Sequence, residues 1–482
     1  MLTIALNKTA GKDPLYEQLY QHIKNSITKG EISAHTKLPS KRALAAQLGI
    51  SIITVANSYG QLQAEGYIYS KPRSGFYVSP LDSLINTTSN ISNIHNNPEK
   101  PASTSRRLAS SAYISPMHPK GFSLDLSSNS ASQYFPFQTW SRLLRQALSQ
   151  HQPELLQRSP AAGLLSLRQA ICQHLKSFRG MEVNPEQVII GAGTEYLYDL
   201  LIKLLGRNLN YCVEDPGYKK LLYIYEDAGA CCSALPIDEQ GISLQELNNG
   251  HYNVLHISPS HHFPTGIVTP VARRYELLAW AEHSQSYIIE DDYDTEFRLT
   301  GKPIPSLFSM DKSSRVIYLN TFSQSLTPTI RISYMILPLP LLEKFNHQLS
   351  YLSCSVSNFE QYTLAQFISQ GYFERHINRT RNSYKKLRQQ LLRALTRHPQ
   401  HSLIQILPQA SGLYFLLRIH TTASDDKLEK TFASKGIRIQ SLRHYFVNTA
   451  LAPDHTFVMN YSSITQEDIP LLVNFLFDSI GY

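Results

Sequence analysis

The sequence predicts a multidomain α/β protein: a small basic helical unit, a polar connecting stretch, and a larger domain of alternating strands and helices. Three observations carry this. From about Phe122 onward, apolar strand-like runs alternate with amphipathic helical ones, the sequence habit of an α/β fold. Residues 79–113, "SPLDSLINTTSNISNIHNNPEKPASTSRRLASSAY", are rich in Ser, Asn, Thr and Pro and hold too little apolar surface to order themselves, as expected of a flexible linker. Charge is uneven: residues 1–80 carry nine Lys/Arg against four Asp/Glu, a net of +5 in a chain of net +8. A basic unit joined to a nearly neutral one suggests a nucleic-acid reader attached to something else.

Composition narrows the class. A chain of 482 residues exceeds one simple core, and 42% hydrophobic with 17% charged residues is ordinary for a globular protein. No apolar run approaches the roughly 18 residues that span a membrane. "MLTIALNKTAGKDP" lacks a signal-peptide pattern, so a cytoplasmic protein is expected. The five cysteines include no CxxC and no Cys/His cluster at metal spacing, so they read as reduced thiols, with no metal site expected.

The first unit reads element by element. "PLYEQLYQHIKNSITKGEI" sets Leu15, Leu19, Ile23 and Ile27 at helical spacing, closed by Gly30. "LPSKRALAAQLG" starts a second helix with Ser40 as N-cap and Gly49 as stop, Leu44 and Leu48 facing the core. "SIITVANSYGQLQAEG" gives a third, capped by Ser51, with Ile53, Tyr59 and Leu62 expected inside. "YIYSKPRSGFYV" reads as a β-hairpin with a basic tip. The outline is a winged helix-turn-helix. In that geometry the helix opening at Ser51 enters the major groove, with its free amides and the Ser51 and Thr54 hydroxyls facing DNA. Lys41 and Arg42 anchor the backbone, and Arg73, Ser74 and Gly75 reach toward the minor groove.

The larger domain carries separated signals. "VIIGAGTEYLYDLL" is a strand, a Gly-rich turn and a helix, and Gly193 and Thr194 can close on a phosphate at the helix N-terminus. "VEDPGYKKLL" places Tyr218 after a Pro-Gly turn, where its face can cover a flat ring. "SYIIEDDYDTEF" is a buried strand ending in carboxylates; Asp291 can pair with a pyridinium nitrogen and Tyr293 can donate to a ring phenolic oxygen. "VIYLNTFSQSLTPTIRISYMILP" adds a strand and a Ser/Thr turn with Thr321 and Ser323. Arg331 follows, suited to a phosphate dianion.

Through "KLPSKRALAAQLGISIITVANSYGQLQAEGYI" and "SGFYV" the first unit resembles the GntR-type winged-helix family. Where that family usually carries Arg at the start of the recognition helix, this chain has Ile52. The larger segments, in order and spacing, look like a PLP-dependent fold-type-I aminotransferase (PLP, pyridoxal 5'-phosphate). The whole chain resembles the MocR subfamily of GntR-type regulators, which fuse the two. The match runs through "FPFQTWSRLLRQAL", "SPAAGLLSLRQAICQHLKSFRG", "VEDPGY", "SHHFPTG", "IEDDYDTEF" and "ASGLYFLL". The resemblance implies a reader at 1–78, a linker at 79–121 and an aminotransferase-like domain at 122–482. Within the last, a large subdomain at about 150–340 adjoins a small one at about 341–482 packed with 122–149. It also implies PLP or effector binding that alters the DNA complex, and homodimers with each reader packed against the partner's large domain.

One position breaks the family pattern. Between "TFS" and "SLTPTIR" the family carries the lysine that bonds the cofactor; here Gln324 stands in its place. A carboxamide nitrogen shares its lone pair with the carbonyl, so it neither condenses with an aldehyde nor shuttles a proton. His262 stands where the family tends to have Gln, and "FVMNYSSIT" offers no arginine for a substrate carboxylate. The expected function is therefore a DNA-binding regulator whose aminotransferase-like domain senses a small ligand, with any PLP held noncovalently and no catalytic residue. An active aminotransferase carrying a reader is the alternative, and Gln324 argues against it.

Overall fold

The computed structural model describes residues 14–71, 74–80, 123–127, 131–299, 304–407 and 412–480. The N-terminal unit consists of α1 (Leu15–Thr28), α2 (Lys41–Leu48), α3 (Ile52–Ala64) and a hairpin of Ile68–Lys71 with Gly75–Val78. Helix α1 buries Leu19, Tyr20, Ile23 and Ile27 on one stripe against α3. Ser40 caps α2 by accepting from the Ala43 amide at 3.2 Å, and Gly49, at φ 62°, ends it in the left-handed conformation that glycine adopts without strain. Ser51 caps α3, its Oγ accepting from the Thr54 amide at 3.0 Å.

One expected core residue is misplaced. Ile53 is 72% exposed, and Val55 takes the inward position with Tyr59 and Leu62. At about 100° per residue, Ile53 sits about 200° from Val55, so docking on α1 turns one inward and the other out. Leu44 is buried and Leu48 packs partly against the same core. Arg73 and most of the expected linker lie outside the described residues.

The large domain is built on an eight-stranded sheet. Its spatial order is Val188–Gly191, Ser333–Ile336, Val316–Thr321, Tyr287–Asp291, Val254–Ile257, Asn210–Asp215, Cys231–Asp238 and Gly241–Ile242. The strands from 316–321 across to 231–238 run parallel, and antiparallel partners close both ends. Alternation feeds two cores. Val188, Ile190, Tyr318 and Tyr334 meet the helices Leu165–Arg179 and Asn358–Ser369 on one face. Ile189, Ile317, Leu319 and Met335 meet Thr194–Leu205 and Leu339–Gln348 on the other. Parallel strands covered on both faces need such continuous apolar runs.

A second, four-stranded sheet (Ile404–Ile406, Tyr414–Ile419, Thr456–Asn460, Gln440–Ser441) has its own core. The change of core does not fall near residue 341: Leu341 and Phe345 pack with the large sheet, and Phe373 and Ile377 still belong there, whereas Tyr384 joins the small core. Leu124 and Leu126 join the small core, with Leu124–Asp125 pairing alongside Ile437–Arg438, while the helix Phe137–Gln150 packs on Asn358–Ser369.

The reader touches the large domain of its own chain. The Val271 amide donates to the Glu65 carbonyl at 3.1 Å, and Val271 belongs to the reader's core. Gly66, at φ +82°, lies so near Pro270 that a Cβ would come within 2.9 Å of its Cβ. The Glu65 carboxylate at the end of α3 is buried and accepts from Tyr20 Oη at 2.7 Å and Gln61 Nε2 at 2.5 Å.

Candidate functional site

Two places on the chain gather the expected residues. On the reader, the Ser51 and Thr54 hydroxyls lie 2.8 Å apart at the exposed start of α3. Lys41 reaches over the Phe76 ring at 5.0 Å, tying the start of α2 to the hairpin, and Arg42 is exposed beside it. Ser74 hydrogen-bonds Tyr77 Oη at 2.6 Å, and Gly75 takes φ +114° at the hairpin turn. Apart from Arg73, the expected DNA-contacting residues thus fall on the helix start and its flanks.

The second place is the carboxyl end of the parallel strands, where α/β sheets bind ligands. Asp291 ends its strand and is buried. Tyr198 Oη donates to its Oδ2 at 2.5 Å, and His256 Nε2 stands 3.6 Å from the same oxygen. Tyr225 Oη in turn holds His256 Nδ1 at 2.8 Å. Asp291 Oδ1 and His256 Nε2 are buried with no hydrogen-bond partner, a costly state for polar atoms unless a ligand completes them. Burial first, and the Asp291 charge next, push the Tyr198 hydroxyl far above the usual phenol range, so it stays a donor.

Gly193 caps the helix Thr194–Leu205 at φ +91°. Its missing side chain matters: a Cβ there would meet Arg331 Nη2 at 2.5 Å. Arg331 pairs with Glu195 Oε2 at 3.3 Å, and Lys220 pairs with Glu195 Oε1. All three side chains are about half exposed, so this is a cationic rim with a built-in carboxylate counter-charge. Tyr218 stands nearby, 47% exposed. Thr321 Oγ1 accepts from the Ser323 amide at 3.2 Å and from Ser333 Oγ at 2.8 Å, while Ser323 Oγ donates to the Ile330 carbonyl at 3.0 Å. These two hydroxyls hold the turn that presents residue 324. Gln324 Oε1 is buried and has no hydrogen-bond partner.

Tyr293 lies under the same roof. Its Oη is 3.4 Å from both His261 Nδ1 and Tyr414 Oη, and burial with the Asp294 charge keeps it protonated. His261 binds Asp294 at 2.7 Å and stacks on Tyr414. His262 bonds Thr265 through Nδ1 at 2.7 Å, and its Nε2 is 3.7 Å from Glu214 Oε2. Burial drives this pair neutral: the His262 pKa falls to about 3 and that of Glu214 rises to about 8. A neutral His262 wedged in this way is a packing and hydrogen-bonding residue.

The structure adds Tyr198, Glu195, Lys220, His256 and Glu214 to the expected set. One of them was visible in sequence: His256 interrupts the otherwise apolar strand "VLHI", an ionisable group where none is cheap.

This arrangement defines a class: a winged-helix reader joined to an aminotransferase-like domain. Residues 15–78 match the family described as bacterial regulatory proteins, gntR family, and residues 123–475 match aminotransferase class I and II. An uncharacterized HTH-type transcriptional regulator of Bacillus subtilis, YdeL, is 38% identical, covering 97% of each chain. The probable rhizopine catabolism regulatory protein MocR of Rhizobium meliloti is 31% identical over 94% of this chain and 90% of its own. A solved kynurenine aminotransferase of Pyrococcus horikoshii, described in complex with PMP, shares the fold at a TM-score of 0.64 and 22% identity, covering 74% of this chain and 90% of its own. The chain belongs to the GntR-type transcriptional regulators of the MocR kind, which carry an aminotransferase class I and II domain. It is a DNA-binding transcription regulator. Among the described residues no helix is long and apolar enough to cross a membrane, and no three His, Cys, Asp or Glu side chains gather to hold a metal ion.

Proposed function

We propose that this regulator senses a phosphorylated pyridine ligand, PLP or a derivative, which its aminotransferase-like domain grips without a covalent bond. The reader at 1–78 contacts the operator through Lys41, Arg42, Ser51, Thr54, Arg73, Ser74 and Gly75. The linker at 79–121 joins it to the domain that binds the ligand and mediates homodimerisation in the cytoplasm. The carrying observation is Gln324, which cannot bond the cofactor and leaves a buried acceptor oxygen unsatisfied.

The residues present fit such a ligand. The free Oδ1 of Asp291 suits a protonated ring nitrogen, and Tyr218 offers a ring face. Gly193, Thr194 and Arg331 suit a phosphate, for which Glu195 acts as an internal competitor. When bound, PLP would supply an electrophilic, electron-withdrawing ring. Here no side chain at position 324 can open the covalent route or move the proton that transamination needs, so the domain holds rather than converts. Gln324 Oε1 welcomes a donor, which the amine form, pyridoxamine phosphate, carries and the aldehyde lacks.

Calorimetry with PLP and pyridoxamine phosphate tests this directly. The amine form should bind more tightly, by about five- to thirtyfold, the worth of one satisfied buried acceptor. Borohydride should fix no cofactor to residue 324, whereas Gln324→Lys should gain a covalent yellow species. Turnover of an amino acid to its keto acid by the unaltered chain would overturn the reading.

A further inference from the structure

We propose that the outward face of α3 selects A·T base pairs in the major groove. Ile52 and Ile53 pack on thymine 5-methyl groups and Asn57 hydrogen-bonds adenine. This rests on the chain's role as a DNA-binding regulator and adds what its reader recognises.

The face is defined by what the core takes. Val55, Ser58, Tyr59 and Leu62 point inward, so the opposite side presents Ile52, Ile53, Asn57 and Gly60, all exposed, with Ala56 half-buried between them. Ile52 is 50% and Ile53 72% exposed. Fully burying one such side chain is worth about 1.5–3 kcal/mol, so two adjacent isoleucines left in water forgo much of that worth. They are not a frayed end, because the Ser51 cap orders this first turn. An exposed apolar pair on an ordered helix of a DNA reader calls for a partner surface, and the groove that receives the helix is that partner.

The chemistry of the face then narrows the sequence it reads. From Ile52 to Ala64 there is no charged side chain. Nothing on α3 can make the bidentate Arg or Lys pair with guanine, and no carboxylate can accept from cytosine N4. What the face does offer matches the two edges of an A·T pair: aliphatic contact for the thymine methyl, and an amide whose oxygen and nitrogen fit adenine N6 and N7. The only Cβ-free position on the face, Gly60, meets nothing within 4 Å of a built Cβ, so the helix middle lies open to close approach. Positive charge sits beside the face rather than on it, at Lys41, Arg42 and Lys71. The division is phosphate contacts from the flanks and base reading from an uncharged centre.

The test uses the full-length chain and a pool of random duplexes. Repeated selection should return a site with A·T pairs at its core positions. Fluorescence anisotropy then compares the selected duplex with one in which uracil replaces thymine, which removes only the methyl groups. Loss of a methyl contact is worth about fourfold each, so uracil at two contacted positions should weaken binding by about fifteenfold. Ile53→Ala and Ile52→Ala should lose affinity for the thymine duplex and almost none for the uracil duplex. A folding defect would lower both equally, so the cycle separates the two. Replacing adenine by 7-deazaadenine should weaken the wild-type chain and leave Asn57→Ala unmoved. A selected core of G·C pairs, or equal affinity for thymine and uracil duplexes, overturns the proposal while leaving DNA binding intact. Recovery of no duplex even at low salt overturns the underlying DNA reading and the proposal with it.

Discussion

The reader's recognition helix and the large domain's pocket break the same rule in opposite directions. On α3, isoleucines stand in water; in the pocket Glu214, His256, Asp291, Asp294 and Glu296 are buried or nearly so. Exposed large apolar groups and buried ionisable ones are the informative exceptions to inside-out sorting. Each region is incomplete in its own way. The helix lacks a surface to cover its methyl groups, and the pocket lacks partners for Asp291 Oδ1 and Gln324 Oε1. The comparison teaches that the chain departs from inside-out sorting in two places, at the apolar outer face of α3 and at the polar floor of the pocket.

The sharpest way to break the comparison is to disable one region alone. Gly193→Ala should do so for the pocket. Its Cβ would meet the Arg331 guanidinium at 2.5 Å, and its φ of +91° strains any L side chain. With about 1–3 kcal/mol of strain at the proposed phosphate contact, calorimetry should show pyridoxamine phosphate binding weakened by about ten- to a hundredfold. DNA affinity without ligand should not change. If it fell as much, the two regions would not be separate binders.

Arg42→Ala is the converse, with a smaller effect. Arg42 is exposed at the first turn of α2, and its loss should remove the phosphate contact proposed for it. Operator affinity should fall by about tenfold at moderate salt, and the slope of log K against log salt should flatten by about 0.9. Ligand affinity should hold. An unchanged slope would move the DNA face elsewhere on the reader.

How much of this was legible in sequence differs between the regions for a physical reason. Helix boundaries and caps were readable because they depend on neighbours: Ser40, Gly49 and Ser51 each act within four residues. The orientation of α3 was not, because Ile53 and Val55 compete for one core position and the winner is set by docking on α1. In the pocket, motif order singled out Asp291, Gly193 and Arg331 as candidates, and the fold brings Gly193 against Arg331. The pairing of Arg331 with Glu195, 136 residues away in the chain, is a tertiary fact with no local signature. The same holds for the junction, where Glu65 and Val271 meet across the span that includes the linker.

That junction links the two regions, and Gly66→Ala should loosen it. A Cβ would press within 2.9 Å of Pro270 Cβ, at φ +82°. Undocking by about 1–3 kcal/mol should speed hydrogen exchange at the Val271 amide, which donates to Glu65, by about five- to a hundredfold. Both binding affinities should change less than this. Unaltered protection at Val271 would mean the docked arrangement carries no strain from the added methyl.

The mildest effect expected is a pH dependence from the pocket floor, and its sign is fixed by burial. Glu214 is pushed from the usual carboxylate range to about 8, chiefly by burial, against the opposing hydrogen bond from the Ser258 amide at 2.9 Å. A raised folded-state value means that Glu214's contribution to stability is whole below its unfolded value near 4.5 and is lost as pH rises through about 8. Glu214→Gln keeps the acceptor for Ser258 and adds an N–H that can face the unpartnered His262 Nε2, without a charge to bury. The variant and the unaltered chain should melt within about 1 °C of each other at pH 5, and the variant should lead by about 2–5 °C at pH 9. Glu296, also raised to about 8, and His262, held neutral down to about 3, are common to both chains, so their contributions leave the difference between the two curves largely unaltered. A difference that shrinks toward pH 9 would mean that Glu214 is ionised in the fold, and that the pocket floor holds its charge by a partner rather than by excluding it.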